Sequence, residues 1–478
     1  MNARIAMLLV LALPLAARAE FTGKVIKIGV LNDQSGLYAD LAGQGSVTAA
    51  KMAAEEMGGK IGDANIEVIF ADHQNKPDVG SNIARQWIDV DGVDVIVDVP
   101  TSSVALAVAQ VVKDKNKVFL ASGPATSDLT GKACTPNTVH WTYDTYALAH
   151  TTGTAEVQSG GDTWFFLTAD YAFGQALERD TTAVVTAAGG KVVGGVKHPL
   201  NTTDFSSFLL QAQSSKAKVI GLANAGGDTI NSIKAASEFG IVRGGQRLAG
   251  LLVFITDVHA LGLQTAQGLL LSESFYWDRD DKTRAWSKKW ADRMGGKMPS
   301  MVQAGVYASV LHYLKALKAL KSDADGKKVV EQMKKLPTDD PAFGKGTIRA
   351  DGRKMHPMYL YEVKKPSESK GAWDYYKLKK EVPAEQAFRP LNAGECSLVA
   401  AAGGASSPST TASAAGSTDA GTASSTADAG AAASSSDGGA SAGDAGTQSP
   451  RRRSRGGASG GASGGASGGA SDGGTDGG

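Results

Sequence analysis

The sequence predicts an α/β protein with two doubly wound domains, each built on a parallel sheet with helices on both faces. Three observations support this fold class. Short β-branched runs alternate with longer amphipathic segments, this alternation starts a second time near the middle of the chain, and about 380 of the 478 residues have the composition of a folded protein. A segment of that length exceeds one hydrophobic core and therefore indicates two domains.

The two ends of the chain differ from this folded part. Residues 1–19 combine Arg4, an apolar stretch and the small residues Ala17 and Ala19, which is typical of a secretory signal peptide. No Cys follows the predicted cleavage site, so we expect no lipid anchor. Residues 399–478 consist almost entirely of Ala, Ser, Gly, Thr and Asp. Because such a segment cannot bury enough apolar surface to offset the entropy of ordering, we predict a disordered tail.

The first predicted domain contains four strands and three helices. Its strands are nearly continuous apolar runs, such as VIKIGVL and VDVIVDV, as expected where both faces of a parallel sheet are covered. Its helices carry apolar residues at helical spacing, with Val104, Val108 and Val111 as an example. We predict strands at 25–31, 66–71, 93–99 and 118–121, and helices at 41–57, 78–91 and 103–114.

The same alternation predicts a second domain of similar size. The run WFFLT opens it, and the pair Gly189 and Gly190 ends its first helix, as is common at helix C-termini. We predict strands at 164–168, 192–198, 219–223 and 251–255, and helices at 173–188, 205–215 and 228–239.

After residue 274 the pattern no longer fits a complete third domain. Apolar spacing predicts one helix around Trp286, Trp290 and Met294 and another at 302–320, followed by strands at 358–363 and 373–378. The economical interpretation is that the chain crosses back and completes both earlier domains.

The composition argues against several functional classes. The net charge of +1 indicates neither nucleic-acid binding nor attraction to a membrane surface, and no later apolar stretch is long enough to span a bilayer. The seven histidines lack metal-ligand spacing, and no P-loop, dinucleotide-binding or zinc-protease motif is present. The GxSxG sequences, such as the one at 457–461, lie inside the tail, where they cannot form a nucleophile elbow. We therefore expect no metal, no cofactor and no enzymatic activity.

The chain has two cysteines, Cys134 and Cys396. In the oxidising compartment that a signal peptide implies, an even number of cysteines favours a disulfide. We predict that the two pair. The alternative is two buried free thiols.

Five segments follow one another in the order KIGVLNDQSGLYADLAGQG, PTSS, ASGPATSDLT, ADYAFGQAL and GLANAGGDT. Together they resemble the branched-chain amino-acid binding proteins of ABC importers, the Leu/Ile/Val-type members of the type I periplasmic binding proteins. The resemblance extends over residues 24–391. The spacer after LTGKACTPNTVHWTYD also looks like a subgroup that handles aromatic or 2-oxo acids.

The resemblance implies two lobes joined by three crossovers, with the ligand in the cleft between them. We place the crossovers near 141–145, 272–277 and 354–357. Lobe one would comprise 24–142 with 277–355, and lobe two 144–273 with 357–392. Pairing of the two cysteines would then fasten the C-terminal end to the edge of lobe one near the first crossover.

The candidate ligand-binding residues of lobe one lie in loops at the carboxyl ends of predicted strands, where open α/β sheets bind ligands. Thr101, Ser102 and Ser103 open a helix, whose N–H groups and dipole suit a carboxylate, although N-capping explains the same residues. The resemblance favours the carboxylate site. By the same resemblance, residues after the first and fourth strands complete this half of the site, namely Tyr38, Ser122, Pro124, Ala125 and Thr126.

The resemblance implies that lobe two supplies aromatic side chains that stack on the ligand. These are Tyr171 and Phe173, with Tyr146 approaching from the first crossover.

Polar residues after two further strands of lobe two complete the set. Asn224 and Asp228 follow one strand, and in the amino-acid binders an acidic residue at the position of Asp228 receives the ligand's ammonium group. The alternative is that Asp228 caps the following helix, in which case a 2-oxo or aromatic acid becomes the expected ligand. Asp257 is a further candidate at the edge of the pocket.

These features predict an exported periplasmic protein that captures an amino acid or a related small carboxylate between two closing lobes and delivers it to the membrane permease of an ABC importer. The alternatives are a binding protein for aromatic or 2-oxo acids such as benzoate or benzoylformate, a soluble ligand-sensing receptor on the same fold, and a secreted α/β enzyme. We expect a monomer whose partners are the small-molecule ligand and the permease, without nucleic acid.

Overall fold

A computed structural model describes residues 21–399. The predicted signal peptide and nearly all of the predicted tail lie outside these residues. The described chain forms two large, mainly parallel sheets, one with six strands and one with seven, and a separate two-stranded sheet.

The first part of the chain alternates strands and helices, as predicted. Its elements are β1 (Val25–Asn32), α1 (Gly43–Glu56), β2 (Lys60–Ile61), β3 (Ala64–Asp72), α2 (Pro77–Asp89), β4 (Val95–Asp98), α3 (Ser102–Asp114), β5 (Val118–Ala121) and β6 (Thr138–His140). These strands form the six-stranded sheet in the order β2-β3-β1-β4-β5-β6, in which the pair β2–β3 alone is antiparallel.

The second part repeats the alternation. Its elements are α4 (Thr145–Leu148), α5 (Thr154–Gln158), β7 (Thr163–Ala169), α6 (Ala172–Ala187), β8 (Lys191–His198), α7 (Ser206–Ser214), β9 (Val219–Ala223), α8 (Gly227–Glu238), β10 (Arg247–Gly250), α9 (Ile255–Leu261), α10 (Leu263–Ala266) and β11 (Leu270–Glu273). A π-helical stretch, Ala149–Gly153, joins α4 to α5.

The last part supplies a helix that packs on the first part and two strands that join the seven-stranded sheet. Its elements are α11 (Asp281–Ala291), α12 (Met301–Leu320), α13 (Gly326–Lys335), β12 (Thr347–Ile348), β13 (Lys354–Met355), β14 (Met358–Val363), β15 (Tyr376–Val382) and α14 (Ala384–Ala387). Helix α12 packs against α1. Strand β14 adds antiparallel to β11 and β15 adds antiparallel to β14, which gives the seven-stranded order β15-β14-β11-β10-β9-β7-β8.

The chain passes from the body around the six-stranded sheet to the body around the seven-stranded sheet after β6, returns to the first body after β11, and passes to the second again after β13. We call the body around the six-stranded sheet lobe one and the body around the seven-stranded sheet lobe two. The predicted fold class of two doubly wound lobes joined by three crossovers is thus confirmed, whereas the residue limits given above for the lobes stay predictions.

Burial on both faces explains the continuous apolar strands of lobe one. Ile28, Val30 and Val97 belong to the core that includes α1 and α12, whereas Ile96 and Phe119 belong to the core that includes α2 and α3. Since successive strand residues point to opposite faces, a sheet covered on both sides needs apolar residues at every position.

Two predicted strands differ from the observed structure. The predicted strand at 251–255 is wrong, because β10 ends at Gly250 and α9 begins at Ile255. The intervening residues are buried in a loop rather than in the sheet, and a short apolar run does not distinguish these two environments. The strand predicted at 373–378 is observed as β15, several residues later.

Cys134 and Cys396 form a disulfide with a Cα–Cα distance of 5.6 Å, which confirms the predicted pairing. Residues 21–399 contain no helix that is both long enough and apolar enough to cross a membrane.

Candidate functional site

A small cavity lies where the carboxyl ends of the two sheets face each other. Loops after β1, β4, β5 and β6 form its first wall, and loops after β7, β9 and β10 form the second. Open α/β sheets bind ligands at this edge. The lining residues are Tyr38, Leu41, Pro100, Gly123, Ala125 and Tyr143 on the first wall, and Tyr171, Phe173, Ala225, Leu252 and Phe254 on the second.

The two walls touch each other directly. The hydroxyl groups of Tyr38 and Tyr171 share a hydrogen bond of 2.5 Å, and the N–H of Gly227 donates to the carbonyl of Leu37 over 3.2 Å. Gly226 has a φ of 57°, and a Cβ there would lie 2.5 Å from the same carbonyl oxygen. Glycine therefore permits both the left-handed turn and the close approach of the two lobes.

A network of buried polar groups fixes the loop that carries Tyr38. The carboxylate of Asp33 accepts hydrogen bonds from the backbone N–H groups of Gly36 and Tyr38, at 2.7 and 2.9 Å. It also accepts one from the side-chain amide of Asn75 at 2.7 Å, and the Asn75 oxygen in turn accepts from the Thr101 hydroxyl. The predicted ligand residue Thr101 therefore contributes its hydroxyl to this network.

The hydroxyl groups of the predicted carboxylate site are also engaged within lobe one. The Ser102 hydroxyl oxygen accepts from the N–H of Thr126 at 3.2 Å, and the Thr126 hydroxyl accepts from the N–H of Asp128 at 3.4 Å. These bonds join the start of α3 to the loop after β5. Ser103, one position further along α3, is half-buried.

The remaining predicted residues of lobe one lie behind or within the same wall. Ser122 is buried and bonds to Ser309 of α12 at 3.1 Å, so its hydroxyl points into the core of lobe one. The carbonyl of Pro124 lies 2.7 Å from Nε2 of His140. Ala125 lines the cavity.

Tyr143 lines the cavity, whereas the predicted Tyr146 does not. The Tyr143 hydroxyl donates to the carbonyl of Gly123 at 2.6 Å, and its ring packs edge-on against Phe254 with centroids 6.1 Å apart. The Tyr146 ring instead stacks on His150. Asp144 caps α4 just between the two tyrosines, and the helical turn that follows directs Tyr146 elsewhere.

Asn224 supports the loop after β9 from the interior of lobe two. It is fully buried, its oxygen accepts from the Thr229 hydroxyl at 2.8 Å, and its amide lies 3.3 Å from both His198 and Ser232. Its polar atoms are thus bonded within lobe two.

Asp228 is a buried carboxyl beside the cavity. Helix α8 is capped at Gly226, so Asp228 lies within the first turn, and its oxygens accept from the N–H groups of Asn201 and Thr202 at 3.1 and 2.8 Å. Burial raises its pKa to about 6, although these two hydrogen bonds oppose the shift. After burial itself, the Asp228 charge is among the causes that raise the pKa of Tyr38 and Tyr171.

Asp257 lies one layer behind the cavity. It accepts a hydrogen bond from the N–H of Phe254 at 3.0 Å as part of the first turn of α9, and it does not line the cavity. Burial raises its pKa to about 7. The carboxyl therefore holds Phe254 in the second wall.

Asp98 and Val99, at the end of β4, were not among the predicted site residues. Both have positive φ, 78° and 59°, which is a strained conformation for a β-branched residue such as Val99. The Asp98 carboxylate accepts from the amide of Asn32 at 2.9 Å, and burial raises its pKa to about 6. This turn brings Pro100 into the first wall of the cavity.

Within the described part of the chain, no group of three or more His, Cys, Asp or Glu side chains is arranged to hold a metal ion. The lining of the cavity consists of aromatic rings, aliphatic groups and backbone, and buried carboxyls lie behind this surface.

Comparison with known proteins identifies relatives of the same architecture. A curated relative, "Leu/Ile/Val-binding protein homolog 6" of Brucella melitensis, is 26% identical over 76% of this chain and 94% of its own length. A periplasmic binding protein of Burkholderia mallei is 55% identical, with a TM-score of 0.77 over 78% of this chain and 99% of that structure.

A second solved structure, a branched-chain amino acid ABC transporter periplasmic ligand-binding protein of Burkholderia xenovorans, is 40% identical with a TM-score of 0.70, over 78% of this chain and 99% of that one. The family described as "Periplasmic binding protein" matches residues 25–372, nearly the whole of the described part. The chain therefore belongs to the periplasmic binding protein family.

Proposed function

We propose that this protein is the periplasmic solute-binding component of an ABC importer, and that it encloses an amino acid or a related small carboxylate between its lobes. The observation that carries the proposal is the cavity itself, which draws its walls from both lobes. A ligand held there contacts both lobes at once and thereby stabilises the closed arrangement. The names of the relatives point to the same class of ligand.

The surroundings of Asp228 support an α-amino acid as the ligand. This carboxyl is 1% exposed, and no cation of the described chain is among the causes that shift its pKa. A buried carboxylate without a cation is costly, and the ammonium group of a ligand would supply the missing charge. The N-terminus of α3, next to Pro100 of the first wall, is the place where we expect the ligand carboxylate.

A specific observation supports the second candidate, an aromatic or 2-oxo acid. Five aromatic rings line the cavity, and both oxygens of Asp228 already accept backbone hydrogen bonds. Aromatic walls suit a planar ring, which stacks or packs edge-on against them. In this case Asp228 would fix the loop at Asn201 and Thr202, and it would not contact the ligand.

A thermal-shift screen of refolded, ligand-free protein tests the proposal. The panel contains Leu, Ile, Val, Phe, polar amino acids, benzoate, 4-hydroxybenzoate, benzoylformate and short 2-oxo acids. A ligand at 100 times its Kd adds about 2.7 kcal/mol to the free energy of unfolding. Stabilisation by α-amino acids alone supports the first candidate, stabilisation by aromatic or oxo acids alone supports the second, and no stabilisation by any compound contradicts both.

The variant Asp228→Asn separates the two candidates by a second route. If the carboxylate receives an ammonium group, replacement of the carboxylate by an amide weakens amino-acid binding by about 2–5 kcal/mol, measured by calorimetry. Asp170→Asn is the matched control, because Asp170 is an exposed carboxylate at the end of β7 in the same lobe. Unchanged amino-acid affinity in Asp228→Asn contradicts the ammonium role.

The same proposal includes delivery to a membrane permease by a monomeric protein. Transport assays with the reconstituted importer, with and without the binding protein, test delivery. Sedimentation with and without ligand tests the monomer, and a ligand-independent dimer contradicts it. A sensory role on the same fold would instead leave uptake of the ligand unchanged when the protein is removed.

A further inference from the structure

The chain makes a fourth passage between the lobes after β15. Helix α14 follows β15 of lobe two and packs against α4, and the disulfide then fixes Cys396 to Cys134 of lobe one. We call residues 383–396 the C-terminal strap. In its middle, the Phe388 ring contacts the guanidinium of Arg353 at 4.6 Å and the ring of His356 at 5.3 Å. The strap therefore crosses the molecule beside the third crossover.

Arg389, the residue after Phe388, connects the strap to the loop that follows β5. Its guanidinium donates to the carbonyl of Ser127 at 3.1 Å. Its own carbonyl accepts from the guanidinium of Arg349 at 2.8 Å, and Arg349 is itself paired with Asp351. Arg389 is thus held from both sides while it holds Ser127.

Ser127 is also one of the points where lobe two contacts lobe one. Its hydroxyl donates to the carboxylate of Asp180 at 2.7 Å and accepts from the guanidinium of Arg179 at 3.0 Å. Both of these residues belong to α6, the helix whose first turn carries Phe173 into the cavity. Ser127 directly follows Thr126, so one short loop joins the strap, the cavity wall and α6.

We infer that Arg389 is a positioning residue for lobe closure. The disulfide fixes the end of the C-terminal strap, and Arg389 in this strap fixes Ser127, on which helix α6 docks. This inference rests on the proposed function, since closure matters to a protein that encloses a ligand. Without the Arg389 guanidinium, the Ser127 carbonyl loses its charged donor and the loop samples other positions. Helix α6 then docks less often, and the closed arrangement is less populated.

Hydrogen exchange of the ligand-free protein tests this inference without a known ligand. We expect backbone N–H groups at 126–131 and in the first half of α6 to exchange about tenfold faster in Arg389→Ala, which corresponds to the loss of one charged hydrogen bond. The double variant Cys134→Ser with Cys396→Ser releases the strap and is expected to act in the same direction. Arg389→Lys keeps the charge and recovers part of the protection.

Arg243→Ala is the control, because Arg243 is exposed on lobe two. Small-angle scattering on the same samples is expected to show a larger radius of gyration for Arg389→Ala than for this control. A merely structural role predicts faster exchange over both lobes in proportion to lost global stability, without a local excess at 126–131. That pattern, or unchanged exchange, overturns the inference.

The proposed function fails separately from this inference. If no compound of the screen stabilises the wild-type protein, the proposed function is contradicted, while the exchange and scattering data still decide whether Arg389 positions the loop. If ligands bind but Arg389→Ala closes like the wild type, the positioning role alone is wrong.

Discussion

The two walls of the cavity are built in different ways. On the lobe-one wall, polar side chains are bonded to one another, as in the network of Asp33, Asn75 and Thr101. On the lobe-two wall, the rings of Phe173 and Phe254 face the cavity and buried carboxyls lie behind them. Lobe one therefore presents a wall held by hydrogen bonds, whereas the second wall depends on apolar packing and on charges that lack cations.

The largest effect is expected where the second wall depends on packing. Phe254 is 1% exposed, and Phe254→Ala leaves a void among large side chains. We expect a loss of about 3–5 kcal/mol in the free energy of unfolding, measured by urea titration of the ligand-free protein. Leu378→Ala, at an exposed position of β15, serves as control. A loss below about 1 kcal/mol for Phe254→Ala would show that apolar packing does not hold this wall.

The buried carboxyls behind the second wall predict a pH effect. Burial raises the pKa of Asp228 to about 6 and that of Asp257 to about 7, so at these two carboxyls the folded state binds more protons than the unfolded state between about pH 4 and 7. Each of these two carboxyls should therefore lower the free energy of unfolding as the pH rises through this window, by about 2–4 kcal/mol.

The neutral variant Asp257→Asn removes the contribution of one carboxyl to the pH dependence of the free energy of unfolding. The variant should therefore be more stable than the wild type at pH 8. Guanidinium titrations of the variant and the wild type at pH 5, 6, 7 and 8 measure the difference in their free energy of unfolding. Asp204→Asn is the matched control, because Asp204 is exposed and its pKa is lowered by hydrogen bonds to Ser206. A stability difference between Asp257→Asn and the wild type that stays constant from pH 5 to 8 would contradict the proposed cost of the buried charge.

The hydrogen-bonded wall of lobe one predicts a smaller effect. Asn75→Ala removes the group that joins Asp33 to Thr101, and it leaves two buried polar groups without this partner. We expect a loss of about 1–3 kcal/mol in stability and weaker ligand binding, because the loop carrying Tyr38 is released. Thermal unfolding and calorimetry measure both. Gln74→Ala, at the exposed neighbouring position, should leave both quantities unchanged.

The smallest effect on stability is expected for Ser103→Ala. Ser103 is half-buried in the first turn of α3. If the ligand carboxylate docks at this helix N-terminus, affinity should fall about tenfold, whereas stability should change by less than about 0.5 kcal/mol. Ser206→Ala in the first turn of α7 controls for the loss of a hydroxyl at a helix start. Equal affinity for wild type and Ser103→Ala would place the carboxylate elsewhere.

The sequence was most informative where the pattern repeats. Both sheets, the three passages between them and the disulfide follow from apolar periodicity, from the resemblance and from the cysteine count. The same reasoning placed Tyr38, Ala125, Tyr171 and Phe173 near the cavity that they line. These residues follow strand ends directly, so their position depends on topology more than on side-chain packing.

Other residues lie where local backbone geometry puts them, and the sequence pattern does not specify that geometry. The choice between Tyr143 and Tyr146 is set by the point at which α4 begins, and a propensity pattern leaves that point uncertain by a few residues. Asp228 was considered as a helix cap, but the positive φ of Gly226 starts α8 earlier. The buried carboxyl of Asp98 gave no sequence signal, because its burial follows from a strained turn after β4.

The order of strands in the second sheet has a consequence for how the chain folds as it is made. Strands β14 and β15 begin at Met358 and Tyr376, long after β11 has ended at Glu273. While the chain emerges from its N-terminal end, lobe one receives its last helices before lobe two receives its last strands. During that interval β11 is an open sheet edge, which is the kind of surface that pairs with other chains. Cys396 follows β15, so the covalent bond to Cys134 forms only after the segments of all these strands have been made.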